Sequence, residues 1–384
     1  MSQETISANL RRLRKARGVT QEDLAEAAGI TRVAYRNLET GISQPRPETL
    51  QSLARSLEVG IQDLVTPAAE LRHVRFRSFR RLNTRDQILI DVGRRLRDFN
   101  DLEDLLEDRI DYALVTFVQD LTEEGEADPA EVAARVRERF GLTADEPVRD
   151  LCGLLESRGI KVLPLRIASD AFFGLSVAAA DGGPAVAVNT WERISVERWI
   201  FTAAHELGHL VLHLCDYQVG RKEEEKRQVR EANLFAAHFL MPPDVFRKEW
   251  IETYGMPFVD RVFKVKRIFR VSYRTVLYRL VETGVLGPEI WQRFQGEYKR
   301  RFSRTLLKDD EPAALAADAF RASFPEPSRA GEPEDLSPAD FMEDRLLRLV
   351  RRAVETEAIT LSRGAEILDL SVNEMRQLSA SWVG

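Results

Sequence analysis

Cysteine is scarce: Cys152 and Cys215 are the only two in 384 residues, far apart and outside any paired spacing. That pattern excludes a disulfide framework, fits reduced buried thiols, and makes neither residue a chosen metal ligand. Long hydrophobic runs are missing too. No apolar stretch approaches the roughly 20 residues that span a bilayer, and no early segment joins a basic start to an apolar run and a small-residue cleavage site. A soluble, cytoplasmic protein without a membrane partner is therefore expected. A single ordinary domain is excluded by length, and 44% hydrophobic residues supply two or three packed cores.

Charge of one sign does not dominate, but the net −6 hides an asymmetry. Residues 1–81 hold 14 Lys/Arg against 9 Asp/Glu, a surplus of five that leaves −11 for the rest. A basic head on an acidic body points to a polyanion partner for the head alone.

Residues 6–64 read as short helices, with Leu10, Leu13, Leu24, Leu38, Leu50, Leu53 and Leu57 at helical intervals and Gly18, Gly29 and Gly41 as punctuation. From Leu71 to Arg85 the chain is a basic connector, rich in arginine and interleaved with Phe76 and Phe79. The stretch from Asp86 to Leu121 predicts one or two amphipathic helices, a spacer or a dimer contact. β-prone runs follow at Lys161–Leu165, Phe172–Ala178 and Ala185–Asn189, with a hairpin turn at Gly182-Gly183. Two long helical patterns come next, from about Ser195 to Leu214 and from about Arg227 to Leu240, the second stopped by Met241-Pro242-Pro243. The expected domains are residues 1–66, a connector and spacer over 67–125, a second domain over 126–310, a proline-rich linker over 311–340, and a helical unit over 341–384.

The chemistry concentrates in His205-Glu206-Leu207-Gly208-His209, an H-E-x-x-H pentapeptide whose apolar flanks belong to a buried helix. Positions four apart share one helix face, so His205 and His209 can grip one tetrahedral Zn²⁺ while Glu206 faces a metal-bound water. With 5 histidines in the chain, chance produces such a motif with odds on the order of one in two hundred. A catalytic zinc needs a third protein ligand. Glu231 is the candidate, because it lies in a small, apolar helix where a carboxylate needs a partner, whereas Glu223, Glu224 and Glu225 form a solvated run. His213 stands roughly 12 Å along a straight helix from His205 and is assigned a role behind the ligands or in the core. His238 lies on the Glu231 face two turns on, either near substrate or as a half-buried polar residue. The chemistry expected is peptide hydrolysis, with Glu206 passing a proton from water to the leaving amine.

The block from Glu197 through His209, followed by Glu231-Ala232-Asn233-Leu234-Phe235-Ala236-Ala237-His238-Phe239-Leu240-Met241-Pro242, resembles the ImmA/IrrE metallopeptidase family over about residues 126–300. The resemblance implies a small antiparallel sheet beside the active-site helix, zinc held by two His and a Glu, and cleavage of helix-turn-helix repressors that controls phage, mobile-element or stress genes.

Residues 6–65 resemble the Xre, or lambda-repressor-like, helix-turn-helix family, through Thr20-Gln21-Glu22-Asp23-Leu24-Ala25, Ala28-Gly29-Ile30-Thr31 and Tyr35-Arg36-Asn37-Leu38-Glu39-Thr40-Gly41. Thr20 and Thr31 are expected caps and Gly29 the left-handed turn between them. Arg32, Val33, Arg36 and Asn37 would then face base edges of a double-stranded DNA operator. Gln21 and the Arg11, Arg12, Arg14, Lys15 group would meet phosphates. Val33 departs from the hydrogen-bonding residue common there and would read a thymine methyl or nothing. The stretch from Ala358 to Met375 has the cadence of a second helix-turn-helix, with Ser362 and Ser371 where caps would stand. Its charge is not clearly basic, and protein contact, dimerisation and DNA binding all stay open.

The fold class expected is mainly α and multidomain: an all-α head, an α+β metallopeptidase-like domain and a C-terminal helical unit. The leading function is a zinc metalloendopeptidase that binds an operator as a homodimer and cuts a repressor or its own linker. The alternative is a non-catalytic or antitoxin-like regulator whose metal domain binds a signal, a toxin-like protein or another neighbouring-gene product.

Overall fold

The structure, a computed structural model, describes residues 2–57, 59–67, 71–78, 85–125, 127–143, 146–217, 225–307, 310–316, 318–319 and 332–382. Phe79, Arg80 and Arg81 of the connector, Glu126, Glu223 and Glu224, and Pro325 and Pro327 of the expected linker lie outside the described residues. The chain is mainly helical and divides into two compact units. Unit 1 comprises residues 1–72, 81–109 and 346–384, and unit 2 comprises 73–80 and 110–345. This partition departs from the linear order of domains expected above. Part of the connector belongs to unit 2, and the C-terminal helices belong to the same unit as the head.

Unit 1 begins with α1 Gln3–Arg17, α2 Gln21–Ala27, α3 Arg32–Glu39, α4 Pro47–Ser56 and α5 Ile61–Val65. Their apolar faces converge on Leu10, Leu13, Leu24, Tyr35, Leu53, Leu57 and Leu64. Thr20 and Asp23 cap α2 reciprocally, Thr31 caps α3, and between them Gly29 takes φ +70, a conformation that costs a side chain with a Cβ dearly. Asn9 is buried and donates to the carbonyls of Leu64 (3.1 Å) and Thr66 (2.7 Å), tying the first helix to the end of the fifth. The long α6, Arg85–Leu105, and the C-terminal α16 (Arg345–Glu355, from Leu346 onward), α17 (Leu361–Ile367) and α18 (Val372–Ala380) complete the unit. Ser371 caps α18 as expected, whereas α17 is capped by Thr360 and not by Ser362.

Unit 2 is built around a four-stranded sheet of order β1-β3-β4-β2, with β1 Val74–Ser78, β2 Lys161–Leu165, β3 Phe172–Val177 and β4 Ala185–Asn189. The sheet is mixed, which corrects the antiparallel expectation: β3 pairs antiparallel with β1 and β4, but β2 runs parallel to β4, with Lys161 opposite Ala185. The crossover from β2 to β3 and the tight β3–β4 connection, where Gly182 has φ +87, leave β2 no other direction. β1 was not foreseen at all. Its Val74-Arg75-Phe76 run lies in the basic connector, where arginine density masks the alternation; Phe76 packs against Phe172 with ring centroids 4.9 Å apart.

Helices α7 Val115–Glu124, α8 Pro129–Arg139 and α9 Leu151–Glu156 lie between β1 and β2 in the chain. The two central helices follow it, α10 Val196–Leu212 and α11 Lys226–Leu240, and then α12 Pro243–Ile251, α13 Phe258–Phe269, α14 Tyr273–Glu282 and α15 Ile290–Phe302. One apolar core runs through all of them. The described parts of the expected proline-rich linker are not a free connector either. Leu315 is in that core, Arg267 donates to the carbonyls of Leu315 (2.6 Å) and Glu332, and the Glu332 carboxylate meets Arg149 (2.9 Å) and Arg270 (3.2 Å).

Candidate metal centre and DNA-reading surface

Two glycines let α10 approach its neighbours closely enough to build the centre. A Cβ at Gly208 would stand 3.0 Å from the Phe235 ring and 3.3 Å from the Ala232 backbone on α11, so the pair packs at backbone distance. A Cβ at Gly174 would meet Thr202 at 2.7 Å and the Ala187 carbonyl at 2.7 Å, so β3 lies against the same helix. Between these contacts His205, Glu206 and His209 have no exposed surface.

Burying three polar side chains requires hydrogen bonds to compensate for lost water. Asn233 of α11 supplies one: His205 Nδ1 lies 2.8 Å from its Oδ1. An amide oxygen only accepts, so His205 carries its proton on Nδ1. A second chain runs from His209 Nδ1 to His213 Nδ1 (2.9 Å) and from His213 Nε2 to Glu231 Oε2 (2.9 Å). Burial holds the His213 pKa below its ordinary value against the pull of Glu231, so the ring is neutral near pH 7. A neutral His213 that donates Nε2–H to the carboxylate keeps its lone pair on Nδ1, and His209 is therefore the donor of the other contact. Both imidazoles of the motif thus hold the proton on Nδ1 and the lone pair on Nε2, the tautomer in which a second shell prepares a histidine for a metal. Their rings stand at 89° with centroids 4.6 Å apart.

Glu206 is held from the sheet side. Tyr217 donates its hydroxyl to Ser176 Oγ (2.8 Å), and Ser176 donates to Glu206 Oε2 (2.7 Å). Burial, with Glu206 close by, raises the Tyr217 pKa well above its usual value, which keeps it a donor. On the flank, Arg75 of β1 is buried and donates to Gln228 Oε1 (2.7 Å), while Gln228 donates to Asp216.

Two imidazole donors therefore fit a zinc ion by protonation state. Glu231 stands at the end of the His213 bridge, 29% exposed, with Oε1 3.6 Å from Arg227. Among the described residues no group of three His, Cys, Asp or Glu side chains is gathered closely enough to hold a metal. A cavity of about 500 Å³ opens beside this end and is lined by His213, Glu231, Arg227, Gln228, Asp128 and Cys215. His238 is taken elsewhere. Its Nε2 accepts from Arg279 (2.6 Å) with Glu282 3.1 Å away, and burial and that guanidinium hold its pKa down, so it braces α14 and does not line the cavity.

Sequence reasoning missed Ser176, Tyr217, Asn233, Gln228 and Arg75. Asn233 had a signal, two residues beyond Glu231 in the same block. Ser176 and Arg75 had none, because the register that brings β1 and β3 against α10 is tertiary.

In the head, Thr31, Arg32, Val33 and Arg36 are exposed on α3, Val33 at 68%, and Asn37 is half-buried at its end. Arg32 lies 3.7 Å from Glu22, and Gln21 is half-buried at the start of α2. The basic group on α1 divides. Lys15 is exposed, but Arg14 is turned inward, pairing with buried Glu39 at 2.8 Å and donating to the Val19 carbonyl at 2.9 Å; Arg11 also donates to the Glu39 carbonyl, at 3.2 Å. Arg14 is therefore a structural group of the head and is withdrawn from the phosphate contacts.

Comparison with known proteins supports two regions. A family model described as helix-turn-helix matches residues 10–64, and one described as IrrE N-terminal-like domain matches residues 155–281. The HTH-type transcriptional regulator y4dJ of Sinorhizobium fredii is 37% identical over 65 residues, 17% of this chain and 84% of that protein. The HTH-type transcriptional regulator YqaE of Bacillus subtilis is 37% identical over 60 residues, 16% of this chain and 52% of that protein.

Proposed function

From the premise that the chain belongs to the helix-turn-helix regulators and carries an IrrE N-terminal-like domain, we propose that it is a DNA-binding zinc endopeptidase that controls transcription by cleaving a helix-turn-helix repressor or another partner protein. The observation that carries this reading is the pair of hydrogen bonds fixing His205 and His209 in the metal-ready tautomer on either side of a buried glutamate. His205 and His209 would supply two ligands, and Glu231 would be the third on leaving its bridge to His213. A bound zinc supplies Lewis acidity toward a carbonyl and lowers the pKa of water toward 7. Glu206, oriented by Ser176, takes a proton and delivers it to the leaving amine. His213 positions His209 and Glu231. Arg32, Val33, Arg36 and Asn37 read the operator.

Glu206→Gln tests the reading. The variant should retain one zinc by elemental analysis and bind operator like the parent, yet leave intact the helix-turn-helix proteins of neighbouring genes that the parent cuts. Cleavage at the parental rate by this variant would sink the proposal. A second reading, a regulator whose zinc domain binds a partner without hydrolysis, is favoured by the complete burial of the motif and by the engagement of Glu231 with His213 and Arg227. It expects zinc and operator binding with no product cleaved by either protein.

A further inference from the structure

The C-terminal helices repeat the head. Shifting the numbering by 340 carries Thr20 onto Thr360, Ala25 onto Ala365, Gly29 onto Asp369, Thr31 onto Ser371, Arg36 onto Arg376 and Leu38 onto Leu378. The backbone follows the same shift bond for bond. Ala28 N to Leu24 O (3.0 Å) becomes Leu368 N to Gly364 O (3.1 Å). Ile30 N to Ala25 O (3.0 Å) becomes Leu370 N to Ala365 O (2.9 Å), and Tyr35 N to Thr31 O (3.0 Å) becomes Met375 N to Ser371 O (2.9 Å). The caps recur at Thr360 and Ser371, and the left-handed turn recurs at Asp369, φ +53. Asp369 accepts that conformation, unusual for a residue with a Cβ, while its carboxylate is held by Arg94 (2.8 Å) and Arg95 (2.5 Å) of α6. Tyr35 and Met375, at equivalent positions, are both fully buried.

Geometry of this kind alone does not make a reading helix, and unit 2 supplies the control. There α13 and α14 meet through a third such turn, with Arg270 at φ +53 and Ser272 as the cap. At its positions equivalent to Arg32 and Arg36 stand Tyr273 and Leu277, both buried, and Arg274 donates to the Leu307 carbonyl. That copy spends its surface on packing.

The C-terminal copy does not. Val372, Asn373, Arg376 and Gln377 on α18 are all exposed, at the positions of Arg32, Val33, Arg36 and Asn37. Arginine pairs with guanine and asparagine or glutamine with adenine in the major groove, whereas a helix built to dock on protein presents an apolar stripe. Here Val372, 40% exposed, is the one exposed large apolar side chain among the described residues of α18. The acidic groups nearby are engaged: Asp369 with α6, Glu366 with Arg363 at 2.9 Å, and Glu374 in the cap of its own helix.

We infer that α16–α18 form a second DNA-reading head, in which Asn373, Arg376 and Gln377 contact base edges of double-stranded DNA. The claim does not depend on peptidase activity. It is tested with the full-length protein and a pool of randomised DNA duplexes, comparing the parent with Arg376→Ala/Gln377→Ala and with Arg36→Ala/Asn37→Ala. The parent should enrich a two-part sequence. The C-terminal variant should lose one part and bind the parental sequence at least about tenfold more weakly, and the N-terminal variant should lose the other part. Hydrogen exchange should show residues 372–377 protected by that duplex in the parent. An unchanged enriched sequence and unchanged affinity in Arg376→Ala/Gln377→Ala overturns the second head, as does protection of this helix by a protein partner and not by DNA. Both altered side chains are exposed, and an unchanged melting curve for the variant separates loss of contact from loss of fold.

Discussion

Along α3 the side chains suited to base edges project into solvent, whereas along α10 His205, Glu206 and His209 have no exposed surface at all. The difference decides how each site relates to its fold. Side chains that project into water lose little on folding, so a reading surface can change without disturbing the helices beneath it. Three buried polar side chains are tolerable only with partners in place, so the candidate metal centre recruits Asn233 from α11, Ser176 from β3, and His213 and Tyr217 from the turn that follows α10. Its chemistry and its fold are one network.

Arg14 gives the strongest test of that contrast, because it belongs to the head yet behaves like the buried network. Burial opposes ionisation of Glu39, and the Arg14 guanidinium overcomes it and holds that carboxyl below the usual range. Arg14→Ala leaves a buried carboxylate with only the more distant Arg11 guanidinium, at 3.9 Å, and should destabilise unit 1 by about 3 kcal/mol. Chemical denaturation followed in unit 1 checks this; a loss no larger than that of exposed Lys15→Ala would return Arg14 to the surface class. In the other unit, Asn233→Ala removes the acceptor that fixes the His205 tautomer and should weaken zinc binding about 10- to 100-fold. Competition with a chelator measures it, and an unchanged affinity would mean that the ring needs no such guide.

A smaller effect should distinguish the units by pH. Lys266 Nζ lies 2.8 Å from both Glu197 and Glu311 and donates to the Pro312 carbonyl. Burial pushes the Glu311 pKa up to about 7; Lys266 opposes the rise and Glu197 adds to it. A carboxyl whose folded pKa exceeds its unfolded value contributes stability that is complete below about 4.5 and lost as pH rises through about 7. The melting temperature of unit 2 should therefore fall between about pH 4.5 and pH 7 in the parent and fall less in Glu311→Gln. Parallel curves for the two proteins would show that this cluster does not set the slope.

What could be read beforehand follows the same division. Caps, the left-handed turn and apolar periodicity are local, so Thr20, Gly29 and Thr31 announce the head, and β2, β4, α10 and α11 lie within two residues of their expected limits. The HExxH motif is local as well, being one helix face. The partners of that face are not. β1 reaches the sheet across nearly a hundred residues of sequence, and Ser176 touches Glu206 only because Gly174 lets β3 close on α10. Charge also misled where it was counted without burial: Arg14 was read as a phosphate contact and Arg75 as part of a basic connector, and each is spent on a buried acceptor.

Val33 should show the smallest effect on stability and the cleanest separation of reading from folding. At 68% exposure, with Tyr35 and Leu38 of the same helix holding the core, its side chain has little packing to lose. Val33→Gln should alter stability by less than about 0.5 kcal/mol. It replaces an apolar contact, able only to meet a thymine methyl, by a side chain that can pair with adenine. The base enriched at one operator position should change from randomised DNA, with the melting curve of unit 1 superimposed on the parent's. If that substitution instead lowers the melting temperature by several degrees while leaving the enriched base alone, α3 is a packing element and the reading surface must lie elsewhere on the head.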